Sequence, residues 1–146
     1  MAGQDGERAL GQALRLLAKR PLTEAELAQK LSRAFPREVV LRTLSYLKER
    51  QFLDDAAVVE AAVRAHRGGR AWGRWRLKAY VQRRGVCPEL FERLYDVLVD
   101  EEAEARAYVE RLPEDRELRA RRLLARGFSR HVVRRVVGDG DGSSFA

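Results

Sequence analysis

The sequence predicts an all-α protein made of three tandem three-helix repeats, each resembling a helix-turn-helix, in an elongated curved array. Apolar residues recur at helical spacing along almost the whole chain. No segment alternates apolar and polar residues over the length of a strand between turn signals. A turn pattern recurs about every 45 residues, and a unit of that size buries too little core to stand alone, so neighbouring repeats must stack.

The three repeats account for nearly the whole chain. Proline, glycine and N-cap signals recur at equivalent positions of the repeats, and these signals set the repeat boundaries. The last residues are rich in Gly, Asp and Ser, a composition typical of a disordered end. The expected segments are a flexible N-terminus at 1–8, repeats at 9–53, 54–100 and 101–137, and a disordered tail at 138–146.

The first repeat opens with an apolar stripe over residues 10–17, and Pro21 ends this helix. Thr23 and Glu26 predict a capping box at the start of the second helix. In such a box the threonine oxygen accepts from a helical amide while the glutamate reaches back to the N-cap amide. A third helix follows Pro36.

The second repeat starts where Asp54 and Asp55 can cap the free amides of a new helix. The glycines at 68–69 end that helix, and Gly85 ends the next one. Pro88 then stands where a first-turn proline is favoured, so a third helix begins there.

The third repeat starts at Glu101, stops near Pro113, resumes, turns at Gly127 and restarts at Ser129. Its last helix directs valines over 132–137 inward. The turns between the middle and last helices of the three repeats can be overlaid as Ala34-Phe35-Pro36, Gly85-Val86-Cys87 and Gly127-Phe128-Ser129.

Charge is abundant and unevenly distributed. The chain has 29 Lys and Arg against 22 Asp and Glu, and 25 of the 29 are Arg. The positive balance favours an anionic partner, although GC-rich codon usage also explains an arginine excess. Residues 64–84 and 119–135 carry eight and seven basic residues with no acid, and they bracket eleven acids against four bases over 89–117.

Composition also limits the class of protein. The single cysteine excludes an internal disulfide framework and a cysteine-rich zinc site. No apolar run approaches the roughly 18 residues of a membrane span, and the polar N-terminus lacks the pattern of a signal peptide. We therefore expect a cytoplasmic protein with no membrane partner. The high charge and the absence of a spare apolar helix favour a monomer.

Catalytic or cofactor chemistry finds little support, and we expect no cofactor, metal or small-molecule substrate. The glycine-rich stretch at 68–73 follows no strand, so a hinge explains it better than a phosphate loop. His66 and His131 lack partners at metal-ligand spacing. The acidic residues at 139–142 lack the glutamate of a calcium loop. Cys87 has no base partner in sequence.

Trp75 lies beside basic residues on the side of its predicted helix away from the core residue Leu77. One interpretation is a platform on which a nucleic-acid base stacks while cations hold phosphates. The other is that Trp75 packs against the adjacent repeat, because helices in stacked arrays bury two faces.

Several motifs resemble the RecX family of bacterial regulators of the recombinase RecA. The middle repeat carries Leu53-Asp54-Asp55, Gly73-Arg74-x-Arg76-Leu77 and Arg83-Arg84-Gly85-Val86, in the order and spacing of the family. The last repeat adds Leu124-x-Arg126-Gly127-Phe128-Ser129, and the first adds Leu16-Leu17, Thr23-x-x-Glu26-Leu27 and Lys30-Leu31. The resemblance covers residues 9–137, and it implies structural roles for Leu53, Asp54, Asp55, Gly73, Leu77, Gly85, Gly127 and Phe128.

The resemblance implies a non-enzymatic regulator that binds the RecA filament on single-stranded DNA. It implies restraint of ATP hydrolysis, strand exchange and repressor cleavage, and hence a role in recombinational repair and the SOS response. The candidate residues for contact with RecA, or with single- or double-stranded DNA, are Arg64, Arg67, Arg70, Arg74, Trp75, Arg76, Lys78, Arg83, Arg84, Arg126, Arg130, Arg134 and Arg135. The alternatives are a basic DNA-binding module without a recombinase partner and a scaffold that contacts no nucleic acid.

Overall fold

The protein is all-helical, as predicted. A computed structural model describes residues 2–138, and these residues form nine α-helices and one short 3-10 turn, with no strand among them. All of the predicted disordered tail except Gly138 lies outside the described residues. None of the described helices is both long and apolar enough to cross a membrane.

The first unit contains three helices around its own core. The capping box of α2 is confirmed, because the Thr23 hydroxyl accepts from the Glu26 amide and the Glu26 carboxylate accepts from the Thr23 amide, both at 3.0 Å. Leu27, Leu31 and Leu47 are fully buried in the core. The helices are α1 (Ala2–Lys19), α2 (Glu24–Ser32) and α3 (Arg37–Glu49).

The start of α1 corrects the expected flexible N-terminus, since residues 2–8 are helical. Asp5 lies in the first turn, where a carboxylate stabilises the positive end of the helix dipole. Arg8 pairs with Asp5 one turn later at 3.7 Å. Ala9 and Ala13 are completely buried, so the helix is held against α3 just beyond this segment.

The second unit follows the same plan. Asp54 caps α4 by accepting from the Ala56 amide at 2.9 Å, as the sequence predicts. The glycines after α4 form a 3-10 turn at Gly68–Arg70. The core contains Phe91 and Tyr95. The helices are α4 (Asp55–Ala65), α5 (Arg74–Arg83) and α6 (Pro88–Leu98).

The third unit repeats the plan once more. Asp100 and Asp115 cap its first two helices by accepting from amides in the first turn, each at 3.0 Å. Its core contains Leu123, Phe128 and Val133. The helices are α7 (Glu101–Val109), α8 (Arg116–Ala125) and α9 (Arg130–Val137). In every unit the first helix packs on the last. The buried apolar residues form three separate clusters.

Glycine ends two of the middle helices in the predicted turns. Gly85 has φ of 109° and Gly127 has φ of 88°, a left-handed conformation that only glycine adopts readily. The next amide closes the turn in each case, from Val86 to the Val81 carbonyl at 3.0 Å and from Phe128 to the Leu123 carbonyl at 3.1 Å. These turns change the direction of the chain between α5 and α6 and between α8 and α9.

Candidate functional site

The three units are connected by two joints that use equivalent positions. At the first joint the Thr23 hydroxyl donates to the main-chain carbonyl of Arg84. At the second, the Gly73 amide donates to the carbonyl of Arg126 at 2.8 Å. Thr23 and Gly73 are N-caps, whereas Arg84 and Arg126 are C-caps. The N-terminus of each middle helix therefore meets the C-terminus of the next middle helix, an arrangement that pairs opposite ends of the helix dipoles.

A partly buried ion pair reinforces the first joint. The Arg84 side chain is 15% exposed, and it binds both carboxylate oxygens of Glu26 at 2.9 and 3.0 Å. Such a two-pronged pair is strong and directional. Partial burial acts to raise the pKa of Glu26, but hydrogen bonds from Arg84 and the Thr23 amide outweigh it, so the pKa is lowered. Arg84 also donates to the Pro21 carbonyl at 3.0 Å.

Asp55 adds a further contact at the first joint. Its carboxylate accepts from the Glu24 amide at 2.9 Å, which ties the start of α4 to the start of α2. Burial raises the pKa of Asp55, and the nearby charges of Glu24 and Asp54 act in the same direction.

A buried carboxylate organises the second joint. Glu101 is 7% exposed and accepts from the Ser129 amide at 2.8 Å and from the Ser129 hydroxyl at 3.0 Å. It also accepts from the Arg74 amide at 3.3 Å. One carboxylate therefore serves the N-termini of α9 and α5 together, where helix amides favour negative charge.

The main chains approach closely at this joint. The Trp75 amide donates to the Gly127 carbonyl at 2.9 Å. A Cβ atom placed on Gly73 would lie 2.3 Å from the Cα atom of Phe128, so only glycine fits. The family-motif glycines at positions 73, 85 and 127 thus all lie at joints, whereas Leu53, Leu77 and Phe128 are buried in unit cores.

Arg74 lies within an intramolecular cluster. Its side chain is 19% exposed and lies near Glu92 at 3.3 Å, Asp96 at 2.6 Å and Glu101 at 3.7 Å. Its guanidinium also lies 4.5 Å from the centroid of the Tyr95 ring. Desolvation acts to lower the pKa of Arg74, but the hydrogen bond to Asp96 and the three carboxylates raise it overall. Like Arg84, this predicted contact residue makes its strongest visible interactions within the chain.

The remaining predicted contact residues divide by their partners. Besides Arg74 and Arg84, the members with an ion pair are Arg67 with Glu104, Lys78 with Glu92 and Arg135 with Glu102. The members for which the described residues show no ion pair are Arg64, Arg70, Arg76, Arg83, Arg126, Arg130 and Arg134. Of these, Arg76 lies over the Trp72 ring at 4.4 Å, and the partly buried Arg126 lies over the Tyr108 ring at 5.2 Å.

A cleft of about 810 Å³ opens at the junction of the second and third units. Trp75 and Leu124 line it and are 55% and 39% exposed. Trp75 therefore remains exposed, although it lines the same cleft as residues of the adjacent unit. The charged and polar lining residues are Arg74, Glu92 and Asp96 from the second unit, and Ser129, Arg130 and His131 from the third.

In the described part of the chain, no three His, Cys, Asp or Glu residues are grouped to hold a metal ion. The Nδ1 atom of His66 lies 2.9 Å from the Ala62 carbonyl, and its ring stacks on Trp72 at 3.6 Å. Cys87 is exposed at the start of α6.

Sequence reasoning missed the role of Glu101. In the sequence it counts only as one of the eleven acids over 89–117 and as the start of the third repeat. The available signal was its position, because Glu101, Ala105, Tyr108 and Val109 share one helical face and all are buried. A carboxylate on such a face must find donors.

Comparison with known proteins finds similar sequences and a similar structure. A model of the RecX first three-helix domain matches residues 9–47. The regulatory protein RecX of Thermobifida fusca is 37% identical over 142 residues, covering 89% of this chain and 77% of the relative. That of Halorhodospira halophila is 37% identical over 150 residues, covering 96% and 92%. The crystal structure of RecX from Lactobacillus salivarius superposes with a TM-score of 0.81 at 18% identity, covering 95% of this chain and 98% of that one.

Proposed function

Because the chain belongs to the RecX family of regulatory proteins, we propose that it binds the filament that the recombinase RecA forms on single-stranded DNA. Binding restrains ATP hydrolysis, strand exchange and coprotease activity, and the protein catalyses no reaction itself. This role assigns it to the cytoplasm and to recombinational repair and the SOS response.

The observation that best supports this proposal is the row of units held by buried joints. The two joints fix the second unit against its neighbours through Arg84 with Glu26 and through Glu101 with Ser129. A row of this kind presents several small surfaces in a constant order. A filament offers identical subunits at regular intervals, so several weak contacts can form together, and their combined affinity exceeds that of any one contact.

Arginines without an internal partner supply the charge for these contacts. Arg64, Arg70 and Arg83 of the second unit are exposed and have no ion pair among the described residues. A guanidinium suits both carboxylates and phosphates, so these side chains can bind acidic recombinase residues or the DNA that the filament encloses.

The decisive experiment measures ATP hydrolysis by RecA on single-stranded DNA while this protein is titrated from far below stoichiometric to excess. Suppression by substoichiometric protein, persisting in moderate salt and excess DNA, is expected. Inhibition that begins only when the protein coats the DNA, and vanishes as salt rises, would contradict action on the filament.

A triple variant locates the contact. Reversing Arg64, Arg70 and Arg83 to Glu should weaken suppression strongly. Reversing Arg33, Arg37 and Arg42, exposed arginines of the first unit with no ion pair in the described residues, makes the same change in net charge. Equal loss from both triple variants would remove the assignment to the second unit.

A plain DNA-binding function is the second candidate, and α9 is the observation that favours it. This helix follows the Gly127 turn as the second helix of a helix-turn-helix does, and its exposed residues Arg130, His131, Arg134 and Arg135 include no acid. A protein that makes about six phosphate contacts loses roughly a thousandfold in affinity between 50 and 200 mM salt. A far smaller loss is expected if recognition is mainly between proteins.

A further inference from the structure

The cleft at the junction of the second and third units concentrates exposed apolar surface. The indole of Trp75 and the side chain of Leu124 line the cleft and are both exposed, and Phe128 of the third core also lines it. Accessible apolar side chains in a concave site are the usual anchor points of protein recognition, because covering them removes apolar surface from water. Trp75 is therefore placed to be covered by a partner.

Two carboxylates of α6, Glu92 and Asp96, line one side of this cleft and belong to a charged cluster. The connected cluster contains two cations, Arg74 and Lys78, and three carboxylates, Glu92, Asp96 and Glu101, so its net charge is −1. The Asp96 side chain is 66% exposed, and only its Oδ1 atom has a hydrogen-bond partner among the described residues. The Oε1 atom of Glu92 is buried and lies 3.6 Å from the Lys78 ammonium. The second carboxylate oxygen of Asp96 is therefore the acceptor in this cluster that a cation or amide from outside can reach.

These charges argue against a stacked nucleic-acid base on Trp75. The Lys78 ammonium lies 5.3 Å from the Trp75 ring centroid and also 3.6 Å from Glu92, so the nearest cation is already paired with a carboxylate. Glu92 and Asp96 would repel a phosphate placed beside them, so a nucleotide on the indole could be held only from the side of the cleft that carries Arg130. A protein segment with a positive charge meets no such penalty.

We propose that this cleft binds a segment of the partner protein in which an apolar side chain lies next to a lysine or arginine. The apolar side chain covers Trp75 and Leu124, and the cation pairs with Asp96 of α6. Arg130 from the third unit, which has no ion pair among the described residues, donates to a carbonyl or carboxylate of the same segment. The proposal rests on the function proposed above, and it names the site through which the filament is recognised.

The test compares two equally exposed aromatic residues. Trp75→Ala removes the cleft anchor, and Phe52→Ala removes a side chain that is 59% exposed near the other junction. Binding is measured on RecA filaments assembled on surface-anchored oligo(dT) with a slowly hydrolysed ATP analogue, and in parallel on naked oligo(dT). Trp75→Ala should weaken filament binding about tenfold or more, with less than about twofold change on naked DNA and for Phe52→Ala. Asp96→Lys should also weaken filament binding.

The outcomes separate the two proposals. If the wild-type protein does not bind the filament, the proposed function fails. If it binds and Trp75→Ala binds equally well, the cleft is not the site. Equal losses on filament and naked DNA would assign Trp75 to nucleic acid, and equal losses for Phe52→Ala would reject a specific anchor. If Trp75→Ala melts more than a few degrees below wild type, Leu124→Ser replaces it, and unchanged binding by that variant overturns the inference.

Discussion

The Glu101 carboxylate and the Ser129 amide are hydrogen-bonded at 2.8 Å across 28 residues of sequence, and the Ser129 hydroxyl donates to the same carboxylate. The bond joins the first turn of α7 to the N-cap of α9, and through the Arg74 amide it extends to α5. One buried acid thus connects the second and third units. Its loss would leave donors at the N-termini of two helices, α9 and α5, without an acceptor, which costs more than a surface pair.

Replacing Glu101 with Ala should lower the free energy of unfolding by about 3 kcal/mol, because it leaves Arg74 and the Ser129 amide short of a partner. Urea unfolding of the variant measures the change. Glu102→Ala is the matched control, since the neighbouring Glu102 is more exposed and forms surface pairs with Arg106 and Arg135. A surface pair contributes about 0–1 kcal/mol. Similar losses for both variants would show that the buried contact has no special weight.

Replacing Gln51 with Gly should stabilise the protein by about 1 kcal/mol. Gln51 has φ of 61° immediately after α3, and the Phe52 amide closes the turn on the Leu47 carbonyl at 2.9 Å. Gln82→Gly is the control, because that exposed glutamine lies inside α5 and glycine there should cost about 1 kcal/mol. Thermal melting of both variants gives the signs, and a loss of stability in Gln51→Gly would contradict the argument from backbone strain.

Replacing Gly73 with Ala should destabilise the protein by about 3 kcal/mol or more, since the new Cβ would meet the Phe128 main chain at 2.3 Å. Gly69→Ala is the comparison, because its new Cβ would meet only the Arg111 side chain, at 3.3 Å. That flexible side chain can move, so a change within about 0.5 kcal/mol is expected. Chemical denaturation distinguishes the two. A mild effect at Gly73 would mean that the second joint can open without loss of the fold.

The ion pair between Glu26 and Arg84 predicts weaker stability in acid. The pKa of Glu26 in the folded protein is below its ordinary value of 4.5. The ionised carboxylate therefore stabilises the fold above about pH 4.5, and this contribution is lost as the pH falls through the folded-state pKa. The difference in unfolding free energy between wild type and Glu26→Gln should be larger at pH 6 than at pH 3. A constant difference between these pH values would exclude linkage to this carboxylate.

Local features of the fold were predictable from sequence, and the joints were not. The capping box at Thr23, the N-cap at Asp54 and the turns at Gly85 and Gly127 depend on residues within one helical turn. Arg84 instead pairs with Glu26, 58 residues away, and nothing in the neighbouring sequence identifies that partner.

The same limit applied to the basic block at 64–84. Its arginines were treated as one surface, yet the partly buried Arg74 and Arg84 pair with carboxylates within the chain. Arg64 and Arg83 are exposed without an ion pair in the described residues. Composition shows that cations are present. Only the tertiary structure shows which of these cations pair with carboxylates of the same chain and which remain available to a partner.

The start of the middle helix in the third unit differs from the equivalent positions at the two joints. Each joint requires a hydrogen-bond donor at the N-cap of a middle helix, supplied by the Thr23 hydroxyl and by the Gly73 amide. At the N-cap of α8 stands Asp115, whose carboxylate accepts from the Leu118 amide. A further C-cap carbonyl docking there would face a negative charge. Asp115 therefore disfavours a joint of this kind at the N-terminus of α8, so we expect that copies of the chain do not associate head to tail through this position.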